Sequence, residues 1–130
     1  INRKTPVQVG NLKTWKAVEA GTHHTLATLA DGTLWSWGDN TDGQLGDGTT
    51  TGRSAPAQLG ASQWASFSAG GNHSVAVRTD GTLWTWGRNV EGQLGDGSTT
   101  NRLAPVQIGT LSTWGAVTAG TSVTIALRER

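Results

Sequence analysis

The stretch AGTHHTLATLADGTLWSWGDNTDGQLGDGTTTGRSAP, residues 20–56, returns as AGGNHSVAVRTDGTLWTWGRNVEGQLGDGSTTNRLAP, residues 69–105. The two lines align without a gap. DGTLW (from Asp31 and from Asp80) and GQLGDG (Gly43–Gly48 and Gly92–Gly97) are unchanged between them. Working outward, Trp15, Trp64 and Trp114 open the segments WKAVEAG, WASFSAG and WGAVTAG at spacings of 49 and 50. Pro6, Pro56 and Pro105 open PVQVG, PAQLG and PVQIG at spacings of 50 and 49. Separate markers in one register define a tandem repeat. Taken from the first residue, the copies are 1–50, 51–99 and a partial third at 100–130, which stops after TIALRER.

Each full copy predicts four strands. The first is the PVQVG type and the second follows the leading Trp, as in Lys16–Ala20. The third is Thr25–Ala30, matched by Ser74–Thr79 and Thr124–Arg128, and the fourth is Thr33–Gly38, matched by Thr82–Gly87. Asp-Gly between β-rich runs predicts a hairpin with a type I′ turn, in which both residues take positive φ. Trp35 and Trp37, like Trp84 and Trp86, point to one face of their strand because side chains alternate. Two indoles on a lone sheet need cover, and sheets stacked face to face supply it.

Composition points the same way. The 19 glycines and 15% charged residues disfavour helices and suit short strands with tight turns. The expected fold is all-β: β-propeller blades of four antiparallel strands, eleven strands in all. That is an incomplete ring of about two and a half blades, either a fragment or one part of an oligomeric propeller. Open blade edges also predict self-association.

With GQLGDG, the preceding WSWG or WTWG and the His-Thr-type strand in hand, the chain resembles the repeat family of the regulator of chromosome condensation. Family repeats follow the line AG..HT.AL..DG.L..WG.N..GQLG.G......P, and the resemblance covers essentially the whole chain. It implies blades of the kind that close as seven-bladed propellers in the best-known members. The founding member is a nucleotide exchange factor for a small GTPase and binds nucleosomes, activities that resemble the property of particular loops and an inserted hairpin. The uniform 49–50 spacing leaves no such insert in this stretch. Near-identical blades are also similar to bacterial repeats of large extracellular or surface proteins, which favours that location over the cytoplasm.

Chemistry-bearing motifs are few. GQLGDG lacks the Lys-Ser/Thr pair of a phosphate loop, since Gly48 is followed by Thr49-Thr50. Gly43, Gly46, Gly48, Gly92, Gly95 and Gly97 read as turn formers, with Leu45 as a plug. A calcium-loop alignment puts Gly38, Asn40 and Asp42 at the ligand positions, or Gly87, Asn89 and Glu91, so the first ligand is missing twice. His24 and His73 share a repeat position filled by Val123 in the third copy, and predict a strand-start imidazole bonded to a neighbouring turn. Without Cys, and without a G-x-S-x-G elbow or a singled-out carboxylate pair, no catalytic residue is expected, and no metal or cofactor. A net charge of +1 without a basic stripe argues against nucleic acid, and no apolar run is long enough for a membrane helix. The expected role is a non-catalytic scaffold for an unspecified protein partner. Binding falls on the loop positions that vary between copies, Asn40, Thr41 and Asp42 against Asn89, Val90 and Glu91, and Thr51-Gly52 against Thr100-Asn101. The alternatives are a guanine nucleotide exchange factor and a carbohydrate-binding propeller that uses its tryptophans.

Overall fold

The structure, a computed structural model, describes residues 5, 6, 8, 10 and 14–129. Among them nine strands form: β1 (Trp15–Ala20), β2 (His24–Leu29), β3 (Thr33–Gly38), β4 (Arg53–Ala69), β5 (His73–Arg78), β6 (Leu83–Gly87), β7 (Arg102–Gln107), β8 (Trp114–Ala119) and β9 (Thr124–Arg128). All pairings are antiparallel between neighbours in sequence. The difference from eleven expected strands has two sources. In the first PVQVG segment Val7 and Val9 lie outside the described residues, and Pro6, Gln8 and Gly10 are in no strand. The PAQLG and WASFSA segments run on as the single strand β4.

The first half of β4 pairs with β3 and its second half, from Trp64, with β5. Gly60, at φ +61°, lies between the two halves. The sheet unit is therefore β1, β2, β3 and the first half of β4, followed by the second half of β4, β5, β6 and β7, then β8 with β9. Each four-stranded blade takes its last strand from the following sequence copy. The PVQVG-type segment ends a sheet instead of starting one, so blades run out of phase with copies counted from residue 1.

The Asp-Gly hairpins also differ from expectation. No residue other than glycine has positive φ among the described residues, so Asp31 and Asp80 do not adopt the type I′ conformation. Instead Gly32 N donates to Leu29 O (3.0 Å) with Gly32 at φ +85°, and Gly81 N donates to Arg78 O (2.9 Å) with Gly81 at φ +84°. This is a longer loop that ends in one left-handed glycine. Asp31 is used otherwise: its Oδ1 accepts from Thr33 N (2.9 Å) and Thr33 Oγ1 (2.6 Å), and Thr33 Oγ1 accepts from Trp35 Nε1 (3.0 Å). Asp80, Thr82 and Trp84 repeat the chain at 3.0, 2.6 and 2.8 Å. The DGTLW motif thus fixes a turn and the first indole together.

The core lies between blades. Leu26, Leu34 and Leu59 of the first blade pack against Trp64, Ala69, Ala76 and Trp86 of the second. Val75, Val77, Leu83 and Ile108 of the second pack against Trp114, Val117, Ala119 and Ala126 of the third. Trp86 is fully buried. Trp84 is half-buried, with the Arg78 guanidinium 3.7 Å above its ring and 5.1 Å from that of Trp64. On the opposite side of the first blade, Trp15 meets Trp35 and Trp37 at ring distances of 6.2 and 5.9 Å.

Candidate functional site

The repeated loop between β3 and β4, and between β6 and β7, is held by one buried asparagine. Asn40 Nδ2 donates to Asp47 Oδ1 (3.1 Å), Thr49 O (2.9 Å) and Thr51 O (3.1 Å), while Asn40 Oδ1 accepts from Leu45 N (2.9 Å). Asn89 repeats this with Asp96 Oδ1 (3.0 Å), Ser98 O (3.1 Å), Thr100 O (3.0 Å) and Leu94 N (3.0 Å). Both asparagines are fully buried. They are spent on holding the loop and cannot face a partner or a calcium ion, which corrects their place among the binding candidates.

One carboxylate braces each loop. Asp47 pairs with Arg53 (2.9 Å) and Asp96 with Arg102 (2.7 Å). Desolvation raises the Asp47 pKa, but hydrogen bonds from the Thr49 side chain, Arg53, the Thr49 backbone and Asn40 outweigh it and hold the group at about 2. Desolvation likewise opposes ionisation of Asp96, and Arg102, Ser98 and Asn89 together hold it below the usual carboxylate range.

The exposed part of this surface is small and specific. Thr41, Val90 and Glu91 are exposed, with Val90 at 54%. Asp42 is half-buried: its carboxylate accepts from Asn72 Nδ2 (3.2 Å) and Asn101 Nδ2 (3.2 Å) and lies 3.9 Å from Arg88. Arg88 also pairs with Glu91 (3.3 Å). A shallow cleft of about 190 Å³ beside them is lined by Thr22, His23, Asn72, Arg88, Thr121 and Ser122. Sequence reasoning missed Asn72 and Arg88. They come from other loops of the second blade, and only the fold brings them to Asp42. Among the described residues no group of three or more His, Asp or Glu converges as a metal site.

The second repeated structure is the seam between blades. Trp86 Nε1 and Ser74 Oγ both donate to Gln44 O, each at 2.9 Å. Because the Ser74 proton is spent there, His24 Nε2 is the donor in its 3.0 Å contact with Ser74 Oγ. His73 Nε2 donates to Val123 O (3.1 Å). The imidazoles thus cross from one blade to the next, and only His73 reaches a turn. Desolvation, with the neighbouring His73 adding to it, pushes the His24 pKa down to about 4, and desolvation also lowers that of His73. Both are neutral rings built into the seam.

Gly43, Gly46 and Gly48 have φ of +81°, +76° and +82°, and Gly92, Gly95 and Gly97 have +76°, +71° and +81°. Gly46 shows why glycine is needed: a Cβ there would lie 2.7 Å from Trp86 Nε1. Leu45 and Leu94 are buried beneath the loops.

Sheets stacked face to face, with repeat-equivalent seams one repeat apart, define an arc of β-propeller blades. The chain belongs to the regulator of chromosome condensation (RCC1) repeat family, whose repeat it matches over residues 31–77 and 80–127, and in a second description over 15–44 and 64–93. It is similar to the E3 ubiquitin-protein ligase HERC2 of Homo sapiens and of Mus musculus, at 40% identity over 62 residues, 46% of this chain and 1% of each relative. Its fold matches Prp20p of Saccharomyces cerevisiae, described with its binding to Gsp1p and histones, with a TM-score of 0.82, 22% identity, 95% of this chain and 33% of that one. It also matches human WBSCR16 (TM-score 0.82, 20% identity, 95% and 33%) and yeast Prp20 bound to Kap60 (0.77, 23%, 90% and 30%). The chain therefore spans about a third of these solved propellers, whose fold it shares, and about a hundredth of HERC2.

Proposed function

We propose that this arc is a non-catalytic binding module that presents its loop surface to a protein partner. One observation carries the reading. Asn40 and Asn89, Gln44 and Gln93, and Asp47 and Asp96 hold two near-identical loops, while the remaining positions on those loops differ, exposed Thr41 and half-buried Asp42 against exposed Val90 and Glu91. A rigid frame that displays changing side chains suits recognition. The Asp42–Arg88–Glu91 charges rim the exposed apolar Val90, a polar border around an apolar contact. The protein binding named for Prp20p and for its complex with Kap60 supports a protein partner. The test is affinity capture with quantitative identification of bound proteins, comparing the native chain with the Val90→Lys, Glu91→Lys variant. The reading expects a defined set of proteins whose recovery falls at least tenfold in the variant. Equal recovery by both chains would overturn it.

A further inference from the structure

Arg78 is a half-buried cation with no carboxylate beside it. Among the described residues Arg53, Arg88 and Arg102 each form an ion pair, and Arg78 forms none. Its guanidinium is stacked 3.7 Å over Trp84 and lies 5.1 Å from the Trp64 ring. Face-on stacking leaves the planar edge of a guanidinium, with its N–H donors, for an acceptor. Arg78 Nε is buried without a partner, and so is Nε1 of Trp64, a residue 5% exposed. Buried donors are normally paired. Arg78 and Trp64 wall a cleft of about 190 Å³ that Leu59, Ser62 and Pro105 also line. It lies on the seam between the first and second blades, bounded by β4, β5 and β7. The fold itself does not need a cation here. Arg78 faces Trp64 across the sheet, and in the first copy Leu29 faces Trp15 in the same way.

We propose that this cleft seats one carboxylate, the glutamate side chain of a protein partner. The edge of Arg78 binds its two oxygens, Ser62 Oγ donates beside it, and Leu59 and Pro105 flank the aliphatic stem. Size and charge select this occupant. The volume is below the about 300–1,000 Å³ of small-molecule sites, so the cleft suits a side chain better than a free metabolite. Arg78 is the one charged side chain among the described residues that line it, and a single guanidinium matches a single carboxylate in plane. Asp80, two residues along the chain, opposes a second negative charge. The site is separate from the loop surface proposed above. Arg78 ends β5 next to the Asp80-Gly81 turn, whereas Val90 and Glu91 follow the far end of β6.

The probe is the peptide acetyl-Gly-Glu-Gly-amide, titrated onto the isotopically labelled chain. Saturable shifts are expected at the Arg78 Nε–H, the Trp64 indole N–H and the Ser62 amide. Binding should be at least tenfold weaker when the glutamate of the peptide is replaced by glutamine or by phosphoserine. It should also weaken with added salt, and as the pH falls through the glutamate pKa of about 4.3. Arg78→Leu installs the residue of the first copy. It should keep the Trp86 indole proton slow to exchange, which reports an intact seam, and lose the shifts. Arg78→Lys keeps the charge without the planar fork and should bind at least tenfold more weakly, so the proposal stays testable if Arg78→Leu does not fold. Absence of saturable shifts, shifts centred on Arg88 or Val90, equal binding of the glutamine peptide, equal or tighter binding of the phosphoserine peptide, or unchanged binding by folded Arg78→Leu or Arg78→Lys would overturn the proposal.

Discussion

Asn89 shows how much one side chain holds in place. Its amide donates to three oxygens of a single loop and accepts from the Leu94 N–H. Asn89→Asp removes the donors and sets an acceptor against Asp96, Ser98 O and Thr100 O. The expected loss is about 2–4 kcal/mol, since a buried unsatisfied group costs about 1–3 and more when charged. Urea denaturation measures it, and a loss no larger than that of an exposed control such as Thr41→Ala would contradict the role. The seam histidines give a second prediction. In the unfolded chain His24 titrates near 6.5 and in the fold at about 4, so on acidification the unfolded state takes up its proton first. Stability is fully present above about 6.5 and falls as the pH drops toward 4, on the order of 3 kcal/mol for His24. His73 shifts in the same direction and adds to the slope. Denaturant titrations between pH 4 and 7 should show this slope, and His24→Gln should flatten it.

At the scale of the element, the strand ends depend on close packing at Gly70. A Cβ there would clash with the His73 imidazole and lie 2.5 Å from Gly120 O on the next blade. Gly70→Ala is expected to cost about 1–3 kcal/mol through overpacking, read as a lower thermal midpoint. An unchanged midpoint would show that the blades are not in such contact. The strands themselves were legible in the sequence because alternation and repeated Trp and Gly positions are local signals. What was not legible came from contacts across repeats. The phase of the blades depends on β4 continuing past Gly60 from one sheet into the next, and a repeat by itself has no preferred starting point. The turn after Leu29 could not be told from type I′ by its Asp-Gly, because Asp31 is held by hydrogen bonds from Thr33. Asn40 and Asn89 looked like polar loop residues available for binding, and only the geometry shows them turned inward. Arg78 over Trp84 gave no clear signal, since the same repeat position varies, Leu29 in the first copy and Arg128 in the third.

For the whole molecule, stability is nearest-neighbour: each blade buries its tryptophans against the one before it. The two ends of the arc are consequently unlike. Trp15, Trp35 and Trp37 are half-buried at one end, while Ile125 (53% exposed) and Leu127 (63%) lie open at the other. Breaking the central seam with Trp86→Ala should therefore disrupt the whole arc, at a cost of about 3–5 kcal/mol, while Trp37→Ala at the open end should cost much less. Denaturant midpoints of the two variants test this. The most direct measurement is proton exchange at the indole N–H groups of the two repeat-equivalent tryptophans, Trp37 and Trp86. Blades stacked through this seam keep the Trp86 proton on Gln44 O and out of water, so it should exchange far more slowly than that of Trp37. Equal, fast exchange at both indoles would contradict the stacking.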